Sequence, residues 1–179
     1  MDEVMTRLRQ ANLKIQPDKC EFLRKETPYL GHMITAEGVK PDPKKIEAVK
    51  EFPVPRNAKN IKQFLGLAGY YRRFIPAFSK IAKPLTNLLK KENTFTWSKE
   101  EQMAFEILRD KLCESPILQY PDFSKNFILT TDGSGYAIGG VLSQGEKIGQ
   151  DLPVAYCSRV FTPAEKNYDT TDKEALAVV

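Results

Sequence analysis

The sequence predicts an α+β fold in two small lobes, and three observations carry that reading. Residues 42–112 read as amphipathic helices separated by prolines. At Tyr120-Pro121-Asp122 the apolar period switches from helical to strand-like. Charge is divided as well: residues 1–39 carry 6 basic and 6 acidic side chains, residues 40–91 carry 13 and 3, and residues 92–179 carry 8 and 14.

Composition narrows the possibilities. A chain of 179 residues with 41% apolar content has room for one domain or two small ones with a real core. No apolar run is long enough to span a bilayer, so no membrane partner is expected. The three cysteines (Cys20, Cys113, Cys157) are widely spaced and there is a single histidine. A disulfide framework or structural zinc site is therefore not expected, and an intracellular setting fits. The basic middle beside an acidic module suits a polyanion grip next to a cation-holding lobe, or simply two solvated faces of unlike sign.

The elements follow in order. Val4, Leu8 and Ala11 predict a helix over residues 2–12. Cys20–Leu23 and Pro28–Thr35 read as short strands, and Ala36-Glu37-Gly38 as a turn. Asp42-Pro43 starts a helix with a capping aspartate and a proline at the first helical position, and Pro53-Val54-Pro55 ends it. Asn57 caps the next helix, whose face is Ile61, Leu65, Ala68 and Ile75, and Pro76 closes it. A third helix begins near Ser79, and residues 91–94 form a loop. Ser98 and Glu101 have capping-box spacing before a helix carrying Ala104, Ile107, Leu108 and Leu112. Strands are expected at 125–131, 136–143 and 152–158, a helical turn near Thr162-Pro163, and a last helix from Thr171.

Two patterns can carry chemistry. Lys62, Gly66, Gly69, Tyr70 and Arg73 fall on one side of the Asn57-capped helix. Each interior glycine costs a helix roughly 1 kcal/mol relative to alanine. The pair fits either the close approach of a phosphate backbone or helix–helix contact across bare backbone. Of the neighbouring aromatics, Tyr71 and Phe74 read as core. The second pattern is Asp132, at the end of an apolar strand before a Gly-Ser-Gly turn, together with Glu174. Both could ligate a metal in phosphodiester chemistry. Spacing alone favours plainer roles: a turn aspartate, and a capping box from Thr171 to Glu174. Asp151, Asp169 and Asp172 read as loop or cap residues. His32 has no cysteine or serine partner nearby and reads as structural.

Six segments, in order, alter that balance: Leu13-Lys-Ile-Gln-Pro-Asp-Lys-Cys-Glu-Phe22, Tyr29-Leu-Gly-His-Met-Ile34, Gly38-Val-Lys-Pro-Asp-Pro43, Phe64-Leu-Gly-Leu-Ala-Gly-Tyr-Tyr-Arg-Arg-Phe-Ile75, Phe95-Thr-Trp-Ser98 and Asn167-Tyr-Asp-Thr-Thr-Asp-Lys-Glu174. Across essentially its whole length the chain resembles the Pol polyprotein of gypsy-type LTR retrotransposons. The resemblance implies that residues 1–39 end a reverse-transcriptase palm, with Tyr29, Leu30, Gly31 and His32 in the primer-grip hairpin. It implies a helical thumb at 40–91, laying Lys62, Gly66 and Tyr70 along the minor groove of a template–primer duplex. Residues 92–124 would be a connecting helix and linker. Residues 125–179 would open a ribonuclease H-like domain with a mixed β-sheet, in which Asp132 and Glu174 ligate Mg²⁺ or Mn²⁺.

The implied activity of the whole protein is RNA-directed DNA synthesis with hydrolysis of the RNA strand of RNA/DNA hybrids. Its implied partners are template–primer duplex, RNA/DNA hybrid and the remainder of the polyprotein. Its implied location is the cytoplasm, in particles, and the nucleus. The sequence contains no Asp-Asp pair, and the family's further ribonuclease H aspartates are expected beyond Val179. Neither active site is expected to be complete within these residues. Three readings stay open: a piece of the enzyme, a host-retained binding module without catalysis, or a packing domain.

Overall fold

The computed structural model describes residues 1–90, 93–146 and 149–179. Lys91 and Glu92 of the expected loop, and Lys147 and Ile148 between two expected strands, lie outside the described residues.

Helix α1 (Asp2–Gln10) forms as expected and buries no side chain. The strand expected at Cys20–Leu23 does not form. A 3₁₀ turn at Pro17–Lys19 precedes it, and Leu23 adopts a left-handed φ of 55°, which breaks an extended run. The residues whose pattern reads as one strand at 28–35 form the hairpin that the resemblance implied. Strands β1 (Thr27–Tyr29) and β2 (His32–Ile34) pair antiparallel, with Tyr29 opposite His32. Leu30 and Gly31 form the two-residue turn at φ 45° and 71°. Positive φ at both central residues is the pattern whose twist matches a hairpin.

Strand β3 (Val39–Pro41), which sequence pattern did not reveal, completes an antiparallel sheet of order β1-β2-β3. Between β2 and β3 the Thr35 hydroxyl accepts from the backbone N–H groups of Glu37 and Gly38, both at 3.2 Å. Gly38 then passes directly against the backbone of Leu118. A Cβ at Gly38 would lie 2.2 Å from the Leu118 carbonyl oxygen. Val39 and Leu118 exchange two backbone hydrogen bonds, at 2.8 and 2.9 Å, which ties this small sheet to the helices.

The helical starts read from the sequence hold. Asp42 caps α2 (Pro43–Lys50) by accepting from Lys44 N–H at 2.9 Å. Asn57 caps α3 (Ala58–Tyr70) by accepting from Asn60 N–H at 2.9 Å. Ser98 and Glu101 form the expected capping box of α5 (Lys99–Cys113). Helix α3 stops at Tyr70 rather than running to Ile75, and a 3₁₀ turn at Arg72–Phe74 follows. Helix α4 (Phe78–Asn87) starts after Ala77, which is left-handed at φ 53°.

One apolar core joins these helices. Ile61, Phe64 and Ala68 of α3 pack with Val49 of α2, Leu85 of α4, and Phe105 and Leu108 of α5. The helix expected as a connector therefore shares the core of the helices before it. Tyr71 and Phe74 are buried there, as read from the sequence.

The second lobe is an antiparallel sheet of order β4-β5-β6, made of β4 (Ile128–Gly133), β5 (Ala137–Gln144) and β6 (Leu152–Val160). Among the described residues every strand pair of the expected mixed sheet is antiparallel. Helix α6 (Thr170–Val178) packs on β4 and β5. Ser158 fastens the lobes together. It accepts from Ser79 N–H at its hydroxyl, 2.9 Å, and its carbonyl accepts from the Ser79 hydroxyl, 2.9 Å, and from the Arg72 guanidinium. The Lys83 ammonium lies 3.3 Å from the centroid of the Tyr136 ring, a cation–π contact across the same junction. No helix among the described residues is long and apolar enough to cross a membrane.

Candidate nucleic-acid interface and carboxylate pair

The solvent face of α3 is chemically unusual. Lys62, Gly66 and Tyr70 are exposed and Gly69 is half-buried. A Cβ built on Gly66 or Gly69 meets nothing within 4 Å. Helix–helix contact across the glycines is thereby excluded among the described residues. Their helix-propensity cost of roughly 1 kcal/mol each is offset by no internal contact. What remains is bare, open backbone between a lysine and a tyrosine, a surface that admits the close approach of another molecule.

The hairpin turn abuts this face. The Tyr70 hydroxyl donates to the Leu30 carbonyl, and the Tyr71 hydroxyl donates to the Gly31 carbonyl at 2.5 Å. A Cβ at Gly31 would sit 3.2 Å from the Tyr70 hydroxyl, so the turn needs a glycine for its φ and for this approach. The side chains of Tyr29 and Leu30 are 62% and 71% exposed at the tip, beside α3. Burial first, then the nearby Asp42 carboxylate, push the Tyr71 phenol up to about 12, so it is a donor across the neutral range.

His32 is enclosed beneath the turn. Its ring centroid lies 5.4 Å from Tyr70, 5.5 Å from Tyr71 and 5.7 Å from Phe74. Its Nδ1 is 2.9 Å from the Leu30 carbonyl oxygen. A carbonyl only accepts, so in this contact Nδ1 carries the proton. Nε2 is buried without a partner. His32 is thus a structural support of the turn, as its isolation in the sequence suggested.

The structure does not carry Arg73 into the stripe. It lies past the end of α3, its guanidinium 3.5 Å from the Val154 carbonyl oxygen and 5.9 Å from the Phe74 ring centroid. The expected i+11 continuation needed the helix to run on, and the 3₁₀ turn redirects it toward the second lobe.

The two carboxylates lie near the end of β4, on different faces of it. Asp132, opposite Gly139, borders a narrow cleft with Ala77, Lys80 of α4 and Ser158. Glu174 lies on α6, whose cap is Asp169, accepting from Asp172 N–H at 2.8 Å. The expected capping box from Thr171 to Glu174 does not form, and Glu174 is free of a capping role. Its Oε1 lies 3.2 Å from the position a Gly133 Cβ would take. Side chains alternate along a strand, so Asp132 and Glu174 flank the strand end from its two faces with a glycine between them. Both are hard oxygen donors that suit Mg²⁺ or Mn²⁺. Among the described residues no third His, Cys, Asp or Glu joins a metal-holding group with them.

Known proteins place this architecture. Residues 97–179 match the family described as an RNase H-like domain found in reverse transcriptase, a span that takes in α5 as well as the second lobe. Residues 97–179 belong to that domain family, and along nearly its whole length the chain is homologous to retrovirus-related Pol polyproteins. It is 49% identical over 98% of its length to the retrovirus-related Pol polyprotein from transposon 297 of Drosophila melanogaster. It is 38% identical over 99% of its length to the transposon Tf2-3 polyprotein of Schizosaccharomyces pombe. It spans 16% and 13% of those relatives.

Among solved structures, the foamy viral protease-reverse transcriptase in complex with dsDNA superposes with a TM-score of 0.82 at 26% identity, covering 98% of this chain and 37% of that one. The same viral protein in complex with RNA/DNA hybrid gives 0.75 at 27% identity, covering 90% and 22%.

Proposed function

We propose that this chain grips a template–primer or RNA/DNA duplex within a reverse transcriptase–ribonuclease H. In this reading residues 1–39 end the palm, 40–91 form the thumb, 92–124 connect, and 125–179 open the ribonuclease H-like domain. The observation that carries it is the face of α3: an exposed Lys62, open backbone at Gly66 and Gly69, and Tyr70 bonded to the hairpin tip. A groove edge fits against bare backbone, a lysine neutralises a phosphate, and an aromatic packs against sugar or base. The dsDNA and RNA/DNA hybrid held by the structurally similar viral proteins support the same ligand class.

Asp132 and Glu174 are the residues of this chain that would hold a divalent cation. Such an ion supplies charge stabilisation and an activated water for phosphodiester hydrolysis. Two carboxylates are part of the ligand set that a two-metal site requires, so metal affinity of these residues alone is expected to be low.

The test is the salt dependence of RNA/DNA hybrid binding. Lys62→Glu is expected to weaken binding and to lower the slope of log K against log salt by about 1, the share of one phosphate contact. An unchanged slope removes the α3 face from the reading.

A further inference from the structure

We infer that Tyr70 and Tyr71 are positioning residues, which lock the hairpin tip to α3 so that both surfaces present to a duplex end as one rigid body. The inference rests on the duplex-binding reading above and adds to it how the two surfaces are held in register.

Two successive turn carbonyls collect four donors. The Leu30 carbonyl receives the Tyr70 hydroxyl and His32 Nδ1–H. The Gly31 carbonyl receives the Tyr71 hydroxyl and the Asp42 N–H, the latter at 3.2 Å. A two-residue hairpin turn normally leaves such carbonyls to water. Here side chains 40 residues away take them. The turn also holds Leu30, a bulky residue, at φ 45°. That left-handed conformation is disfavoured for a residue with a Cβ and persists where its surroundings impose it. Strands β1 and β2, three residues each, are too short to impose it alone. The tyrosine and histidine donors, with His32 packed among Tyr70, Tyr71 and Phe74, are the surroundings that do.

The geometry separates two functions of one residue pair. The rings pack on His32, and the hydroxyls hold the turn. Tyr→Phe substitution removes the second and keeps the first. Tyr70 is 53% exposed, so Tyr70→Phe leaves the core untouched. Tyr71 is buried, but its ring volume is preserved in Tyr71→Phe.

Two readouts on the 179-residue chain test this. Hydrogen exchange of residues 28–34 is expected to speed up about tenfold for each hydroxyl removed, with α4 and α5 unchanged. The wild-type chain is expected to favour an RNA/DNA duplex with a recessed primer end over a blunt duplex of equal length. In Tyr71→Phe, whose ring is buried away from the α3 face, that preference is expected to fall, while blunt-duplex binding through Lys62 is kept. Lys62→Glu is the counterpart: weaker binding to both duplexes, with hairpin exchange unchanged. Unchanged hairpin exchange in Tyr71→Phe, or a preference for the recessed end as strong as wild type in that variant, overturns the inference while leaving the duplex-binding reading standing. A wild-type chain that binds neither duplex overturns that reading, and the positioning role falls with it, whatever exchange shows.

Discussion

Gly38 shows how little space decides at the scale of single residues. Gly38 runs against the Leu118 backbone, where a Cβ would come within 2.2 Å of a carbonyl oxygen, and its φ of 147° is one that side chains resist. Neither backbone can yield without breaking the Val39–Leu118 pairing. Gly38→Ala is expected to cost on the order of 2–4 kcal/mol in denaturant unfolding, and a loss below about 0.5 kcal/mol would contradict the contact. Charge gives a second residue-scale prediction. Hydrogen bonds from Arg159, then from the Thr162 backbone, hold Glu165 at about 2, below the ordinary 4.5. A carboxylate lowered on folding lends stability above its unfolded value and loses it as pH falls through its folded value. The Thr162–Glu165 turn should therefore stay intact at pH 4 and loosen as pH falls toward 2. An NMR titration of the Glu165 carboxyl with a midpoint near 4.5 would show that the Arg159 pair does not hold in solution.

Elements were legible in the sequence where their signals are local. Asp42-Pro43, Asn57 and the Ser98–Glu101 box each state a helix start within four residues, and all three caps form. The start of α6 was misplaced because Asp169 and Thr171 are both competent caps, and choosing between them takes the packing of the helix on β4. That choice bears on the site, since it releases Glu174 from capping. The Val39–Leu118 bridge and the Ser158 junction were not legible, because their partners lie about 80 residues away in sequence. The tyrosine hydroxyls were missed because their acceptors lie 40 residues away in sequence. The junction yields an element-scale prediction. Ser158→Ala removes the acceptor of the Ser79 N–H and should cost about 1 kcal/mol. Hydrogen exchange should then rise at the start of α4 and along β6 while α2 and α5 stay protected. Protection unchanged at Ser79 would show that the lobes are held by other contacts.

At the scale of the whole molecule, charge and shape point the same way. The +10 balance of residues 40–91 was read from the sequence as a polyanion grip or a solvated face. The structure supplies what charge alone could not: a lane of open backbone on α3 beside the hairpin tip. The glycines of that lane are the sharpest probe, because stability and binding are expected to move in opposite directions. A side chain at Gly66 meets nothing within 4 Å, so Gly66→Gln should stabilise α3 by roughly 0.5–1 kcal/mol through helix propensity. The same side chain would stand where the proposed duplex would approach. The decisive measurement is RNA/DNA hybrid affinity of Gly66→Gln beside its thermal stability. A melting temperature equal to or above wild type, with affinity reduced at least tenfold, is the predicted result. Affinity unchanged in an equally stable variant would contradict the claim that this face of α3 meets the duplex.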